Sequence, residues 1–216
     1  MDKVAELAKL EAEIAGNHAL PLMESNLVFG EGNPDCAVLF IGEAPGVNED
    51  RLKRPFVGRG GQLLDNMIIG LGWKRADVYI TNIVKRRPPE NRDPLPNEIE
   101  SYQPYLTRQI EIINPKLIVT LGRFAMNYFS PFAKMTRDHG RALNVNGRIV
   151  FPVYHPAAAL RSTTMMEVLR EDFKKIPKVL AGEITVELPP AIVPPVIKGK
   201  AFKLSKPEKP KQKGLF

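Results

Sequence analysis

The stretch AVLFIGEAPG, residues 37–46, joins an apolar run to a turn bounded by glycines. The run Ala37–Gly42 is typical of a strand that is buried on both faces, as strands of parallel sheets are. Further runs of the same character are Val78–Asn82, Leu117–Gly122 and Arg148–Tyr154. Because a buried parallel sheet needs helices on both faces, these runs predict an α/β fold.

Helical patterns separate the four predicted strands. They cover Gly61–Leu71, Asn97–Ile113, Arg123–Phe129 and Thr164–Leu180. Strands that alternate with helices imply right-handed crossovers between neighbouring parallel strands. The sequence therefore predicts a three-layer α/β/α sandwich with a central four-stranded parallel sheet.

The composition predicts one domain followed by a tail. The chain has 216 residues, 44% of them hydrophobic, which is enough for one substantial core. We expect this domain to span residues 1–182. After residue 182 the helical spacing of apolar residues stops, and prolines and lysines become frequent. Residues 183–216 are therefore predicted to form a flexible tail. Residues 198–216 hold seven lysines and a single acid, Glu208, and thus carry most of the net charge of +7.

Cys36 is the only cysteine. This excludes an intrachain disulfide and any zinc or iron–sulfur site built from several thiolates of this chain, so we predict no metal, no cofactor and a colourless, iron-free protein. There is no run of about 18 apolar residues, and the first residues alternate charged and apolar side chains at helical spacing. We therefore predict no membrane span and no signal peptide, and a cytoplasmic protein.

Polar residues follow three of the predicted strands. The GEAPG loop, residues 42–46, follows the first strand, Asn82 ends the second, and His155 follows the fourth. The carboxyl ends of parallel strands meet at one edge of the sheet, where such sheets bind ligands. These side chains are therefore predicted to share one site.

Each of these features also has a purely structural interpretation. The glycines of GEAPG allow close approach of a ligand, although an ordinary strand-to-helix loop looks similar. Phe56, in the segment RPFVG at residues 54–58, suits stacking on a base or packing in the core. The Asn82 amide could pair with the edge of uracil or cap the chain. His155 could face a developing negative charge or be a structural histidine.

Together these segments resemble the uracil-DNA glycosylase superfamily, in particular its thermostable bacterial and archaeal family four. The resemblance extends from Val28 to about Asp172 and is carried by Phe29–Pro34, GEAPG, Arg54–Arg59, Tyr79–Lys85, Arg87–Pro89 with Asn91-Arg92, and His155–Ala158. It implies a monomeric enzyme with a four-stranded α/β/α sandwich. The implied reaction flips uracil out of single- or double-stranded DNA and hydrolyses its N-glycosidic bond, leaving an abasic site.

The resemblance also implies a role for matching residues. Gly42, Ala44 and Phe56 hold the flipped base, Asn82 reads its edge, and His155 stabilises the leaving uracil anion. Other branches of the superfamily use Asp or Asn at the position of Ala44 to orient water. Here the candidates for that task are the nearby carboxylates Glu43 and Glu49, with loop capping and solvent exposure as the alternatives.

A larger set is predicted to contact DNA: Arg59, Lys85, Arg86, Arg87, Arg137, Leu160 and Arg161. Leu160 is the candidate wedge that fills the gap left by the flipped base, with Arg161 on phosphate. A related branch traps uracil covalently through a histidine in the loop after the second strand. Residues 86–92 contain no histidine, so we expect turnover.

Members of family four resemble ferredoxins in holding a four-iron, four-sulfur cluster through four cysteines. The later pair of cysteines corresponds here to Arg86 and Tyr102, and the earlier pair falls within Ile14–Leu20, which contains none. We expect packing around Leu20, Leu22 and Tyr102 to replace the tie that the cluster would provide.

The tail residues Gln212, Leu215 and Phe216 resemble the short peptide by which bacterial repair proteins dock onto the sliding clamp. The alternatives are an electrostatic arm on DNA and packing of the apolar residues on the body. Two rival functions remain open for the whole chain. One is a non-catalytic module that binds uracil or damaged DNA, and the other is a metabolic enzyme that binds a nucleoside or nucleotide.

Overall fold

The computed structural model describes residues 2–190 as a sheet with helices on both faces. The strands are β1 (Glu31–Gly32), β2 (Val38–Gly42), β3 (Tyr79–Asn82), β4 (Leu117–Leu121), β5 (Ala142–Val145), β6 (Arg148–Val153) and β7 (Val186–Glu187). The helices are α1 (Lys3–Gly16), α2 (Val47–Leu52), α3 (Arg59–Gly70), α4 (Pro96–Ile113), α5 (Arg123–Phe129), α6 (Met135–Asp138), α7 (Pro156–Ala159) and α8 (Thr163–Leu180). Within the described range, no helix is long and apolar enough to cross a membrane.

The sheet has the order β1-β3-β2-β4-β6-β5-β7. Its centre consists of β3, β2, β4 and β6, which are all parallel, so the predicted four-stranded parallel core is confirmed. The register places Gly42 opposite Asn82 at the carboxyl edge. One core lies between the sheet and α1, α4 and α5, and a second lies between the sheet and α3 and α8. The molecule is therefore the predicted three-layer sandwich.

Alternation of side chains along β2 explains why this strand is apolar throughout. Leu39 and Ile41 belong to the core beneath α1 and α4, whereas Val38 and Phe40 belong to the core beneath α3 and α8. Since successive side chains of a strand point to opposite faces, a strand covered on both sides needs apolar residues at every position.

The sheet is wider than the sequence analysis predicted. β5 and β6 form an antiparallel hairpin whose turn contains Asn146 and Gly147, with φ of 52° and 82°. An Asn-Gly pair is a strong signal for such a turn, and the prediction did not use it. β7 pairs with β5, so the sheet continues past Gly182 into the segment predicted to be a tail. Gln212, Leu215 and Phe216 lie outside the described residues.

The segment after α1 is packed against α4. Leu20, Leu22 and Tyr102 are buried in the same core, as expected for the packing that ties this segment to the body. The Tyr102 hydroxyl also donates a hydrogen bond of 2.8 Å to the Pro21 carbonyl oxygen. This region therefore combines apolar burial with a specific polar contact.

Candidate active site

A pocket of about 330 Å³ opens at the carboxyl edge of the parallel strands. Glu43 after β2, Asn82 at the end of β3 and His155 after β6 line it, and we call these three residues the pocket floor. Residues 46–58, which connect β2 to α3, flank the floor, and we call them the loop wall. Ala44 lines the pocket as well. The parallel strands thus bring together the polar residues that the sequence predicts at one site.

Asn82 has a buried side chain whose amide nitrogen and oxygen both lack a hydrogen-bond partner among residues 2–190. Gly42 lies directly beside it. A Cβ atom at Gly42 would come within 2.5 Å of Asn82 Oδ1 and 2.4 Å of the Phe56 ring, so only glycine fits between these two side chains. An unsatisfied buried amide costs about 1–3 kcal/mol. An amide of this kind at the end of a core strand is open to a ligand that can complete its hydrogen bonds.

Phe56 is held in the loop wall in a left-handed backbone conformation, with φ of 51°. Arg75 stabilises this conformation, because its Nη1 donates to the Phe56 carbonyl oxygen at 3.2 Å and its Nη2 donates to that of Pro55. Glu31 and Asp65 in turn bind the Arg75 guanidinium, at 2.7 and 2.6 Å. The wall therefore presents a buried aromatic ring on a backbone that is fixed by a charged network.

His155 is a neutral hydrogen-bond donor. Its Nδ1 accepts a hydrogen bond from the Ala157 backbone N–H at 3.1 Å, so the hydrogen of the neutral ring lies on Nε2. Burial lowers the pKa of His155 to about 4, and the negative charge of Glu49 opposes this shift only in part. The His155 ring also stacks near Phe56, with 5.7 Å between ring centroids.

The Glu43 side chain is partly buried. Its carboxylate oxygens accept no hydrogen bond from residues 2–190. Burial raises its pKa to about 7, and the negative charge of Asp93 adds to this effect while Arg123 opposes it. A carboxylate with a pKa near neutrality can exchange a proton at physiological pH. Glu43 therefore has the properties of a general base.

Glu49 also lines the pocket, but its carboxylate is engaged in the loop wall. Oε1 accepts from the backbone N–H groups of Val57 and Gly58 at 2.9 and 2.7 Å, and Oε2 accepts from Gly46 at 3.2 Å. These bonds satisfy backbone donors at both ends of the wall. Glu49 thus differs from Glu43 in having its acceptors occupied.

Two further pocket residues were given no role by the sequence analysis. Asn91 adopts a left-handed conformation with φ of 54°, and its Oδ1 accepts from Arg87 Nε at 2.7 Å. Arg92 is paired with Glu98 at 2.6 Å. Both line the pocket from the loop after β3. Asn91 and Arg92 were part of the family resemblance. That resemblance did not show that their side chains face the pocket.

Comparisons with known proteins agree with this geometry. The sequence profile of the Uracil DNA glycosylase superfamily matches residues 29–180. This chain belongs to the uracil-DNA glycosylase superfamily. It is 47% identical over 184 residues to a type-4 uracil-DNA glycosylase of Sulfurisphaera tokodaii, covering 79% of this chain and 83% of the relative. The type-4 enzyme of Saccharolobus solfataricus is 48% identical over 170 residues, with coverage of 73% and 78%.

Members of this superfamily act on DNA, and four of the residues predicted to contact it are accessible beside the pocket. Arg59 and Arg161 are exposed, Leu160 is 38% exposed at the end of α7, and Arg87 is half-buried. Arg137 is exposed too, but its Nε and Nη2 bind the Asp138 carboxylate at 2.8 and 2.7 Å. DNA contacts by these residues stay predictions.

The predicted DNA contacts of Lys85 and Arg86 are wrong, because both side chains point inward. Lys85 has no exposed surface, and its Nζ is surrounded by protein acceptors. Arg86 is 6% exposed, and its Nη1 donates to the Ser25 carbonyl oxygen. Gln109 and Ser25, which supply one acceptor to each of these cations, are distant in sequence, and a basic stretch was therefore mistaken for a surface.

The residues at the cluster positions of family four do not fit an iron–sulfur cluster. Arg86 and Tyr102 offer a cation and a phenol where thiolate ligands are required. Burial raises the pKa of Tyr102 to about 12, which leaves it protonated. Cys36, the single cysteine, is buried before β2, and burial raises the pKa of its thiol to about 11.

Proposed function

We propose that this chain is a DNA-repair enzyme that flips uracil out of DNA and hydrolyses its N-glycosidic bond, leaving an abasic site. The buried, unpartnered amide of Asn82 is the observation that carries the proposal. Its Nδ2 can donate to uracil O4 while its Oδ1 accepts from N3–H, so one side chain pairs with the edge that defines the base. A base can reach this depth only after it leaves the DNA stack.

Phe56 and His155 would complete the binding of the base. The aromatic ring offers a stacking surface for the flipped pyrimidine. Breaking the glycosidic bond leaves a uracil anion and a sugar cation, so a donor near uracil O2 is most valuable when the charge has developed. A neutral His155 with hydrogen on Nε2 supplies such a donor without transferring its proton.

We assign orientation of the attacking water to Glu43. Water adds to the anomeric carbon of the sugar, and one of its protons passes to the carboxylate or to solvent. The raised pKa of Glu43, about 7, suits this exchange, and no protein donor occupies its oxygens within residues 2–190. Glu49 is the weaker candidate, because three backbone N–H groups already bind it.

Positively charged side chains around the pocket would hold the DNA backbone. Arg59, Arg87 and Arg161 are the candidates for phosphate contacts, because each retains accessible surface. Leu160 is the candidate wedge for the gap that the flipped base leaves in the stack, since it is an exposed apolar residue after the short helix that His155 begins.

The test is incubation with oligonucleotide duplexes that contain a single U·G, T·G or C·G pair, followed by alkali to break abasic sites. Strand breakage only at uracil supports the proposal. Binding of the uracil duplex without breakage would indicate a non-catalytic module. Hydrolysis of free deoxyuridine with no action on the duplexes would indicate a metabolic enzyme.

We also propose that the protein works as a monomer on the nucleoid and that the part of residues 183–216 that follows β7 adds a tether to the domain. Gln212, Leu215 and Phe216 would dock onto the sliding clamp, with the preceding lysines adding attraction to DNA. Light scattering tests the monomer. Calorimetric titration of the clamp with a peptide of residues 206–216, and with its Leu215→Ala, Phe216→Ala version, tests docking. Equal binding of both peptides, only at low salt, would leave the tail as an electrostatic arm.

A further inference from the structure

Lys85 is a buried amine placed directly behind the pocket floor. Its side chain has no exposed surface. Its Nζ lies 2.6 Å from Thr81 Oγ1, 2.9 Å from the Asn82 carbonyl oxygen and 2.6 Å from Gln109 Oε1. The first two acceptors belong to the end of β3, and the third belongs to α4. One amine therefore connects the strand that ends at the pocket with the helix that covers it.

The contacts of its neighbours leave the Lys85 amine with three hydrogen-bond partners. The Thr81 hydroxyl donates to the Phe29 carbonyl oxygen at 2.7 Å, so it can offer Lys85 a lone pair. The Gln109 amide nitrogen donates to the same carbonyl at 3.2 Å, which turns its oxygen toward Lys85. All three neighbours of Nζ can then accept a hydrogen bond from the amine.

The surroundings of Lys85 supply little besides these hydrogen bonds. Burial lowers the pKa of Lys85, and no described carboxylate offsets this effect. The Phe29 ring lies 5.8 Å from Nζ. A buried amine is stable only where its hydrogen bonds are made. The three acceptors are therefore part of one unit with the amine.

The position of the Asn82 amide depends on this unit. Neither polar atom of the amide has a partner in the described part of the chain, so the side chain is located by its backbone and by the packing of Gly42 and Phe56 around it. Lys85 holds that backbone through the Asn82 carbonyl oxygen. We propose that Lys85 is a positioning residue of the base site, which fixes the end of β3 against α4 so that the Asn82 amide meets the base. This inference rests on the proposed function.

Lys85→Met tests the inference, because methionine has a similar length and lacks the hydrogen bonds. We expect the single-turnover rate on a U·G duplex to fall about ten- to hundredfold, and inhibition by free uracil to weaken by a similar factor. Affinity for an undamaged duplex should stay within about twofold, since Lys85 does not reach the surface.

Arg86→Met is the matched control, because it also removes a buried cation but leaves the contacts of Asn82 intact. It should lose stability while keeping the uracil inhibition constant at a temperature where both variants are folded. If Lys85→Met keeps the wild-type rate and inhibition constant, or if both variants lose them equally, Lys85 is only structural and the inference is overturned.

Gln109→Met serves as the second variant in case Lys85→Met does not fold. It leaves the Lys85 amine two partners, Thr81 and Asn82, and cuts only the connection to α4. We expect a smaller loss, about three- to tenfold, in both the rate and the uracil inhibition. Unchanged values in a folded Gln109→Met protein would refute the inference. A wild-type protein that never cleaves uracil-containing DNA would instead refute the proposed function.

Discussion

The pocket floor and the loop wall line the same pocket, but they differ in whether protein hydrogen bonds satisfy their polar groups. Within residues 2–190, the Asn82 amide of the floor has no hydrogen-bond partner, and the carboxylate oxygens of Glu43 accept no hydrogen bond. In the wall, Glu49 accepts three backbone hydrogen bonds and Arg75 donates to two carbonyl groups. Polar groups without partners mark where a substrate would bond, whereas saturated groups give the pocket its shape.

The largest effect is expected from the floor residue Asn82. Asn82→Asp replaces the amide donor for uracil O4 with a carboxylate that only accepts, so uracil excision should fall about a thousandfold or more. The measurement is the single-turnover rate on a U·G duplex, with circular dichroism to establish folding. Full activity of the variant would show that Asn82 does not bind the base. The distinction between floor and wall would then no longer hold.

His155→Ala should have the next largest effect, because it removes a donor whose value is greatest in the transition state. We expect the single-turnover rate to fall about 10²- to 10³-fold with little change in DNA affinity. Rates and affinities come from the same set of duplexes. A parallel loss of affinity would make His155 a residue that binds DNA or the ground-state base.

Glu43→Gln should lower the rate about a hundredfold and change its pH dependence. Because the pKa of Glu43 is about 7, the wild-type rate should rise with pH through neutrality as this carboxylate ionises. His155, with a pKa of about 4, does not titrate between pH 5 and 8. The rise of the rate with pH should therefore disappear in Glu43→Gln. If the rise persists, another group orients the attacking water.

Glu43 should also make the folded state less stable as the pH rises. Its pKa is raised from an ordinary value of 4.5 to about 7, so the folded protein holds this proton more tightly than the unfolded chain. The resulting stabilisation is complete below pH 4.5 and is lost as the pH approaches 7. Denaturant unfolding should find Glu43→Gln more stable than the wild type at pH 8 and equal to it at pH 4.

The smallest effect on catalysis is expected from the wall. Glu49→Gln keeps one acceptor oxygen but leaves at least one backbone N–H group of the wall without an acceptor, so the free energy of unfolding should fall by about 1–3 kcal/mol. The rate should fall only severalfold. Glu100→Gln, which changes an exposed carboxylate on α4, is the control. A loss of rate comparable to that of Glu43→Gln, without loss of stability, would make Glu49 the water-orienting residue.

The gathering of the candidate residues at one edge of the sheet could be predicted, whereas the direction of several side chains could not. Asn82 and His155 follow strands that the pattern identifies, and parallel strands bring their carboxyl ends to one edge. Lys85 and Arg86 stand in a basic stretch that suggested a surface, yet their partners Gln109 and Ser25 are distant in sequence. No local pattern reports such partners, so the interior position of these two cations was missed.

The sequence by itself determined the four parallel strands, the layers around them and the edge at which the polar residues gather, because hydrophobic period and glycine-rich turns act locally. Only the tertiary structure decided which polar groups are satisfied. Glu43 and Glu49 are near neighbours in the chain, but the backbone N–H groups of Val57 and Gly58 fold back onto Glu49 alone. Hydrogen bonds between distant segments form only when the packed fold brings them together, and they separate the residues that shape the pocket from those left free for a substrate.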